Sequence, residues 1–439
     1  MHTCVCANPI RDWIALPAVV VGAGRSGTAA ARLLHRLGCR VRVLDVDPSH
    51  IPADFTAWAQ SADVEIRTGK HNSAQFADMR LVVPSPGIPA AQLAPFLAEG
   101  PEAPVVLAEM QIAYEQLQDE RILAITGTSG KTTTASLAAA MLEQAGKRVF
   151  LGGNIGTPLS GYVLDAMDGA PRAEVLVLEV SSFQLQTCST FRPHVGVLLN
   201  ISENHLDYHA DMNEYIEAKL KLFACQTPGD RALIGANALP FIAGRSLTGR
   251  VEVIGNEHSF DLVQLFGRHN SANIATAFAA CRALGVSPTD AARAVAAFKS
   301  LPNRLERVAE KHGVLYVNDS KATTVDAQRV ALEAFDRPIR LLAGGKFKGG
   351  DLAALSDLVS ERAIAVYLFG ASREIFETAW KNRVPMSWDA TLEAAVQRAA
   401  TEAQNNDVIL MAPATSSFDL FANYEERGAA FRRAVEALP

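Results

Sequence analysis

Ile122-Leu-Ala-Ile-Thr-Gly-Thr-Ser-Gly-Lys-Thr-Thr-Thr134 is the stretch around which the rest of the chain can be read. Its apolar start predicts a buried strand, its glycine-flanked middle a loop, and Ala135 to Ala145 a helix. Backbone N–H groups of such a loop, together with a helix N-terminus, cradle phosphate. Lys131 is placed to reach terminal phosphates, and the Thr132 hydroxyl to meet Mg²⁺. The general phosphate-loop pattern asks for glycine five residues before Gly130, where this chain has Ile125. Strand, loop, Lys-Thr and helix still fall in the required order, so the expectation is a nucleoside triphosphate site.

Upstream, Ala18-Val-Val-Val-Gly-Ala-Gly-Arg-Ser-Gly27 predicts a short strand followed by Gly22, Gly24 and Gly27 and a helix reaching Leu37. A strand over Val41–Leu44 ends at Asp45, the place from which an acid bonds a ribose hydroxyl. Taken alone, this pattern admits an NAD-dependent oxidoreductase, which leaves the phosphate loop unexplained. Leu81-Val-Val then runs into Ser85-Pro-Gly-Ile-Pro89, a turn whose Ser85 and Gly87 share the same crevice if it is more than a chain reversal. A helix around Ala108–Leu117 leads into the second domain.

Downstream, Val149-Phe-Leu-Gly-Gly-Asn-Ile-Gly156 offers Asn154 as its polar group. A strand over Val175–Leu178 ends at Glu179, where a second Mg²⁺ contact beside a phosphate loop belongs, and a strand over Val195–Leu199 leads to His205 and Asp207. A helix over Asn213–Ala224, with Asn213 as its cap, carries Lys219 and Lys221 on different faces. Asn270 or Asn273, at the start of an alanine-rich helix, is placed either to reach an adenine or simply to cap. Leu301-Pro-Asn-Arg304 reads as a linker, and a third domain opens with a strand over Val314–Val317. Strands and helices alternate throughout, which predicts three α/β domains: residues 1–107, 108–301 and 302–439. Each is expected to be a mostly parallel doubly wound sheet.

Length agrees with that count, since 439 residues suggest about three domains. A composition 49% apolar supplies each with a core, and a formal net charge of −6 excludes nucleic acid or an anionic membrane as the main partner. Six cysteines (Cys4, Cys6, Cys39, Cys188, Cys225, Cys281) form no CxxC pair, as expected of reduced thiols in a cytoplasm. No apolar run approaches the roughly 18 residues of a membrane span, and the N-terminus does not read as a signal peptide.

Four motifs, Thr126 to Thr134, Glu179-Val-Ser-Ser-Phe-Gln184, His205-Leu-Asp207 and Asp319-Ser-Lys-Ala-Thr323, together resemble the Mur ligases in order and spacing. Leu178 to Leu185 and the compact glycine-rich N-terminal domain are similar to the branch that adds D-glutamate to UDP-N-acetylmuramoyl-L-alanine.

That resemblance implies an ATP-dependent amide ligase of peptidoglycan precursor synthesis, working through an acyl phosphate. It turns the first glycines toward UDP rather than NAD, with Ser26, Asp45, Ser85, Gly87 and Asn154 on the UDP substrate. Gly127, Thr128, Ser129, Gly130, Lys131, Thr132, Thr133, Asn273, Arg304 and Asp319 are implied for ATP. Thr132, Glu179, His205 and Lys219 would hold two Mg²⁺ ions, Lys219 as a carbamate formed with CO₂. Lys131, Glu179, His205, Asp207 and Lys219 are the implied catalytic group, with His205 or Asp207 as base. Lys321, Thr323, Lys348, Ser417 and Tyr424 match positions around glutamate. A cytoplasmic monomer is expected. The alternatives are a sister ligase using a diamino acid or building a polyglutamate tail, and a phosphate-loop module that binds ATP without catalysis. Asn204 stands where the family usually has an acid, Thr324 where it often has Asn, and segment 235–266 is short.

Overall fold

The computed structural model describes residues 14–203, 208–255, 260 and 265–439. Three sheets follow one another along the chain. The first has the order β3-β2-β1-β4-β5, from β1 (Ala18–Val21), β2 (Val41–Asp45), β3 (Glu65–Thr68), β4 (Leu81–Pro84) and β5 (Val105–Val106). The second has the order β11-β10-β9-β6-β8-β7, from β6 (Arg121–Thr126), β7 (Val149–Gly153), β8 (Val175–Glu179), β9 (Val195–Leu198), β10 (Arg231–Gly235) and β11 (Arg250–Ile254). Both are parallel throughout, and their central strands are buried on both faces, which is why they read as short apolar runs dominated by Val and Leu.

The third sheet has the order β12-β13-β17-β14-β15-β16, from β12 (Glu306–Lys311), β13 (Val314–Asn318), β14 (Ile339–Gly344), β15 (Ala363–Phe369), β16 (Met386–Asp389) and β17 (Val408–Met411). It is parallel except for β12, which pairs antiparallel with β13. The sequence reading starts this domain at residue 302 but gives its first strand as Val314–Val317, passing over β12. As an edge strand of sequence Glu-Arg-Val-Ala-Glu-Lys, β12 has little apolar signal.

The described chain divides into two compact units, one holding the first two sheets and the other the third. A continuous apolar cluster explains the pairing of the first two. It runs from Val20 and Leu34 through Met110 to Ile122, Leu159 and Val163. The first helix, Arg25–Arg36, packs on helix Leu159–Met167 of the second sheet, and Arg36 pairs with Asp168 at 3.2 Å. Gly27 permits the close crossing at the start of that first helix, since a Cβ there would sit 1.9 Å from the Gly22 carbonyl oxygen. No helix among the described residues is long and apolar enough to cross a membrane.

Candidate active site

The strand ends of the second sheet assemble the first half of the site. The phosphate-loop helix begins at Lys131, four residues before the predicted start, with Gly130 as its cap at φ +82°. Glycine is required there twice over: by that angle, and because a Cβ would lie 2.5 Å from Asn273 Oδ1. Asn273, 6% exposed, also accepts the Thr134 hydroxyl at 3.3 Å, so it packs against the phosphate loop. It lines a cleft with Thr276 of its own helix and with Asn200, Gly235, Asn237 and Gly255 near the ends of β9, β10 and β11.

Asn200 is a residue the sequence reading gave no role. Its Oδ1 accepts the Thr128 and Ser129 amides at 3.1 and 2.9 Å, and its Nδ2 donates to Ser129 O at 3.2 Å. These bonds hold the loop's shape from the neighbouring strand. Its position immediately after a strand beside the phosphate loop was the available signal. Lys131 Nζ folds back onto the loop, donating to the Gly127 and Thr128 carbonyls at 2.9 and 3.1 Å.

Glu179 ends β8 in register with Ile125 of β6 and Gly153 of β7, which brings three strand ends together. Thr132 Oγ1 donates to its Oε2 at 2.7 Å, and Asn154 Nδ2 to its Oε1 at 2.8 Å. A hydroxyl and a carboxylate beside the phosphate loop are hard oxygen donors of the kind Mg²⁺ takes while keeping several waters. Among the described residues there is no group of three or more His, Cys, Asp or Glu able to hold a metal. His205 and Asp207, with Asn204, lie outside the described residues.

Lys219 is 2% exposed, whereas Lys221 is exposed and donates to the Gln186 carbonyl, so the predicted separation of faces holds. The helix carrying Lys219 runs Met212–Leu220 and is capped by Asp211, whose side chain accepts the Glu214 amide; Asn213, the predicted cap, lies inside it. Lys219 Nζ donates to Gly127 O at 3.0 Å and lies 4.5 Å from the Tyr215 ring centroid. Tyr215 in turn shares a 3.0 Å hydrogen bond with Thr128 Oγ1. Burial, reinforced by the positive charge of Lys131, holds the Lys219 amine well below the ordinary lysine value.

In the first sheet, Ser85 Oγ donates to Gly22 O at 3.2 Å, so the Ser-Pro-Gly turn and the glycine loop adjoin. Ser26 is half-buried at the start of the first helix, and Gly87 is exposed. Asp45 accepts the Ala23 amide at 2.8 Å and the Asp47 amide at 3.0 Å, so its carboxylate braces the glycine turn itself.

The third-sheet unit carries a separate cluster. Lys321 Nζ donates to Tyr424 OH at 3.0 Å and lies 4.3 Å from that ring's centroid. Lys348 Nζ lies 5.1 Å from the Phe418 ring centroid. Ser417, 2% exposed, follows β17. The Thr323 amide donates to Lys321 O at 2.8 Å. Burial raises the Asp319 carboxyl to about 7, against the Leu305 amide and the Arg304 charge, which both favour its anion.

Arg427, also missed from sequence, is fully buried behind this cluster. It donates to Ser320 Oγ, Ser320 O and Thr415 O at 3.0, 2.9 and 3.0 Å. Nothing about an arginine within a polar helix marks it in the sequence.

Family models describe residues 17–106 as a Mur ligase MurD-like N-terminal domain, 125–246 as a Mur ligase middle domain and 303–415 as a Mur ligase glutamate ligase domain. The UDP-N-acetylmuramoylalanine--D-glutamate ligase of Nitratidesulfovibrio vulgaris Miyazaki F is 60% identical over 428 residues, 96% of each chain. The enzyme of that name from Lawsonia intracellularis is 47% identical, covering 99% of this chain and 97% of its own. Among solved structures, the MurF ligase of Thermotoga maritima in complex with ADP matches with a TM-score of 0.61 at 18% identity, covering 97% of this chain and 99% of its own. The bifunctional folylpolyglutamate synthase/dihydrofolate synthase of Yersinia pestis, complexed with AMPPNP and Mn ion, matches with a TM-score of 0.56 at 19% identity, covering 79% and 99%. At such identities these two likenesses concern the fold alone.

Proposed function

The chain belongs to the Mur ligase family, and from that premise we propose that it is an ATP-dependent ligase of peptidoglycan synthesis, joining D-glutamate to UDP-N-acetylmuramoyl-L-alanine. The observation that carries this reading is the convergence of Thr132 and Asn154 on the two oxygens of Glu179 beside the phosphate loop. It gives the terminal phosphate of ATP and an acceptor carboxylate a common meeting place.

A carboxylate is a poor electrophile for an amine. Transfer of the γ-phosphoryl group to the alanyl carboxylate gives an acyl phosphate and ADP. The glutamate amine then attacks the acyl carbon, loses a proton, and expels phosphate as the amide forms. Two anions must approach for the first step, so Lys131 exchanges its carbonyl partners for phosphate oxygens while Gly127 to Thr133 cradle the chain. Asn273 and its cleft would take the adenine side, with Arg304 and Asp319 also on ATP. Asn154 would hold the acceptor carboxylate, and Ser26, Ser85, Gly87 and Asp45 the UDP end, Asp45 through the turn it braces. Lys321, Thr323, Lys348, Ser417 and Tyr424 would receive glutamate, whose carboxylates suit two cations. His205 or Asp207 would take the amine proton.

Thr132, Glu179, His205 and Lys219 would hold Mg²⁺ at two sites, where the metal neutralises charge on the transferring group. Lys219 suits this role as a carbamate: its depressed pKa favours loss of the ammonium proton, and the neutral amine then adds CO₂ and releases a second proton, so that a cation becomes an anion. We place residues 1–107, 108–301 and 302–439 as the UDP, ATP and amino-acid domains of a cytoplasmic monomer.

The test is phosphate release across a panel of UDP-muramoyl acceptors and amino acids. Release requiring both UDP-N-acetylmuramoyl-L-alanine and D-glutamate is expected, and ATP hydrolysis indifferent to either would overturn the reading. Lys131→Ala is expected to abolish turnover while leaving UDP-substrate binding within about two-fold, because the two phosphate loops belong to different sheets. Titration of the variant with the UDP substrate checks this.

A further inference from the structure

Lys348 stands on the loop 344–350 that leaves β14, and the side chains that hold that loop, Ser372, Thr415 and Ser416, are buried. Ser372, just after β15, is 4% exposed. Its hydroxyl donates to Gly345 O at 2.5 Å and accepts the Phe347 amide at 2.9 Å. One buried hydroxyl therefore closes the loop around Lys346. From the other side, Lys346 and Ser416 exchange backbone bonds of 2.9 and 3.1 Å, and Ser416 Oγ donates to Lys346 O at 2.8 Å. Thr415 Oγ1 donates to Gly344 O at 2.6 Å. The loop is thus clamped up to Phe347. Lys348 is the first residue beyond the clamp, and two glycines at positive φ follow it.

We infer that Ser372 is a positioning residue for the amino-acid substrate: by fixing the backbone at Phe347 it sets where the Lys348 ammonium stands. This rests on the assignment of Lys348 to the glutamate pocket. A lysine side chain is long and rotamer-rich, so the reach of its charge depends on where its Cα is held. Once the clamp is loosened, the loop must be ordered at the moment of binding, and that entropy weakens affinity without touching the phosphoryl step. The same fixed reach distinguishes glutamate from aspartate, one methylene shorter.

Ser372→Ala should raise the KM for D-glutamate roughly ten-fold, with kcat at saturating glutamate and the KM for ATP unchanged within about two-fold. It should also narrow the preference for D-glutamate over D-aspartate. In a Lys348→Ala background the same change should add nothing, because the two act as one unit. Ser372→Thr keeps the hydroxyl and should retain the native glutamate KM within about two-fold. Amide exchange at Phe347 in the free protein should quicken in Ser372→Ala. An equal rise in both KM values, a ten-fold effect that persists without Lys348, or unaltered exchange at Phe347 would overturn the inference. A Lys348→Ala variant with native glutamate KM would overturn the pocket assignment itself, and the exchange rate then decides separately whether Ser372 holds the loop.

Discussion

Lys219 beside the phosphate loop and Arg427 behind β13 and β17 are both buried cations, 2% and 0% exposed, and the protein treats them in opposite ways. Arg427 has its fork filled. Two carbonyls and two hydroxyls, of Ser320 and Thr415, face its nitrogens at 2.9 to 3.5 Å. Burial lowers its pKa only to about 10, eased by Asp419, so it keeps its proton at neutral pH. Among the described residues, Lys219 has one carbonyl, an aromatic face and a second cation for company. A delocalised guanidinium whose acceptors replace water is scaffold, whereas a point-charge ammonium so poorly compensated has its pKa pushed well down by burial and by the Lys131 charge. The loss of a proton is what makes an amine a nucleophile toward CO₂. Burial alone therefore says little about a cation's role, and the acceptors around it say most.

The strongest way to break the contrast is at Lys219. Lys219→Ala should lose about 10³-fold in kcat, with part restored by a small added carboxylic acid. Lys219→Arg should stay inactive, because arginine keeps its charge and carries no carbamate. Steady-state assays of the three proteins decide it, and an active arginine variant would make Lys219 a plain phosphate-binding cation.

At Arg427 the expected effect falls on stability. Arg427→Met strands buried acceptors of Ser320 and Thr415 and should cost on the order of 3 kcal/mol. A lowered urea midpoint with unchanged slope is the expected reading. An unchanged midpoint would remove Arg427 from the scaffold.

The subtlest test separates the two by pH. In CO₂-free buffer, the unfolded chain binds a lysine proton below the ordinary value of 10.5, which the folded Lys219 refuses until its depressed pKa is reached. Stability contributed by this group therefore falls as pH falls through that window. Lys219→Met removes the penalty, so its stability relative to the native chain should rise as pH falls below about 10. A difference independent of pH would show that Lys219 stays charged.

Much of the central sheet was legible because its signals are local. The strand before the phosphate loop, Glu179 at the end of β8 and the different faces of Lys219 and Lys221 follow from runs of a few residues. The helix start at Lys131 was placed late because Thr132, Thr133 and Thr134 are weak helix formers. Tertiary contact overrides that preference, with Thr132 held by Glu179 and Thr134 by Asn273.

Sequence by itself determined the α/β alternation, the phosphate loop, the order of the four motifs and hence the family. Each of these is a pattern of neighbours in the chain, set by period, turn chemistry and strand ends. Tertiary structure alone decided that Lys219 meets Gly127 across 92 residues, that Arg427 reaches Ser320 across 107, and that Ser372 closes on Gly345 across 27. A side chain's protonation and its power to position another depend on desolvation and on acceptors supplied from distant strand ends, and neither exists until the sheets have packed.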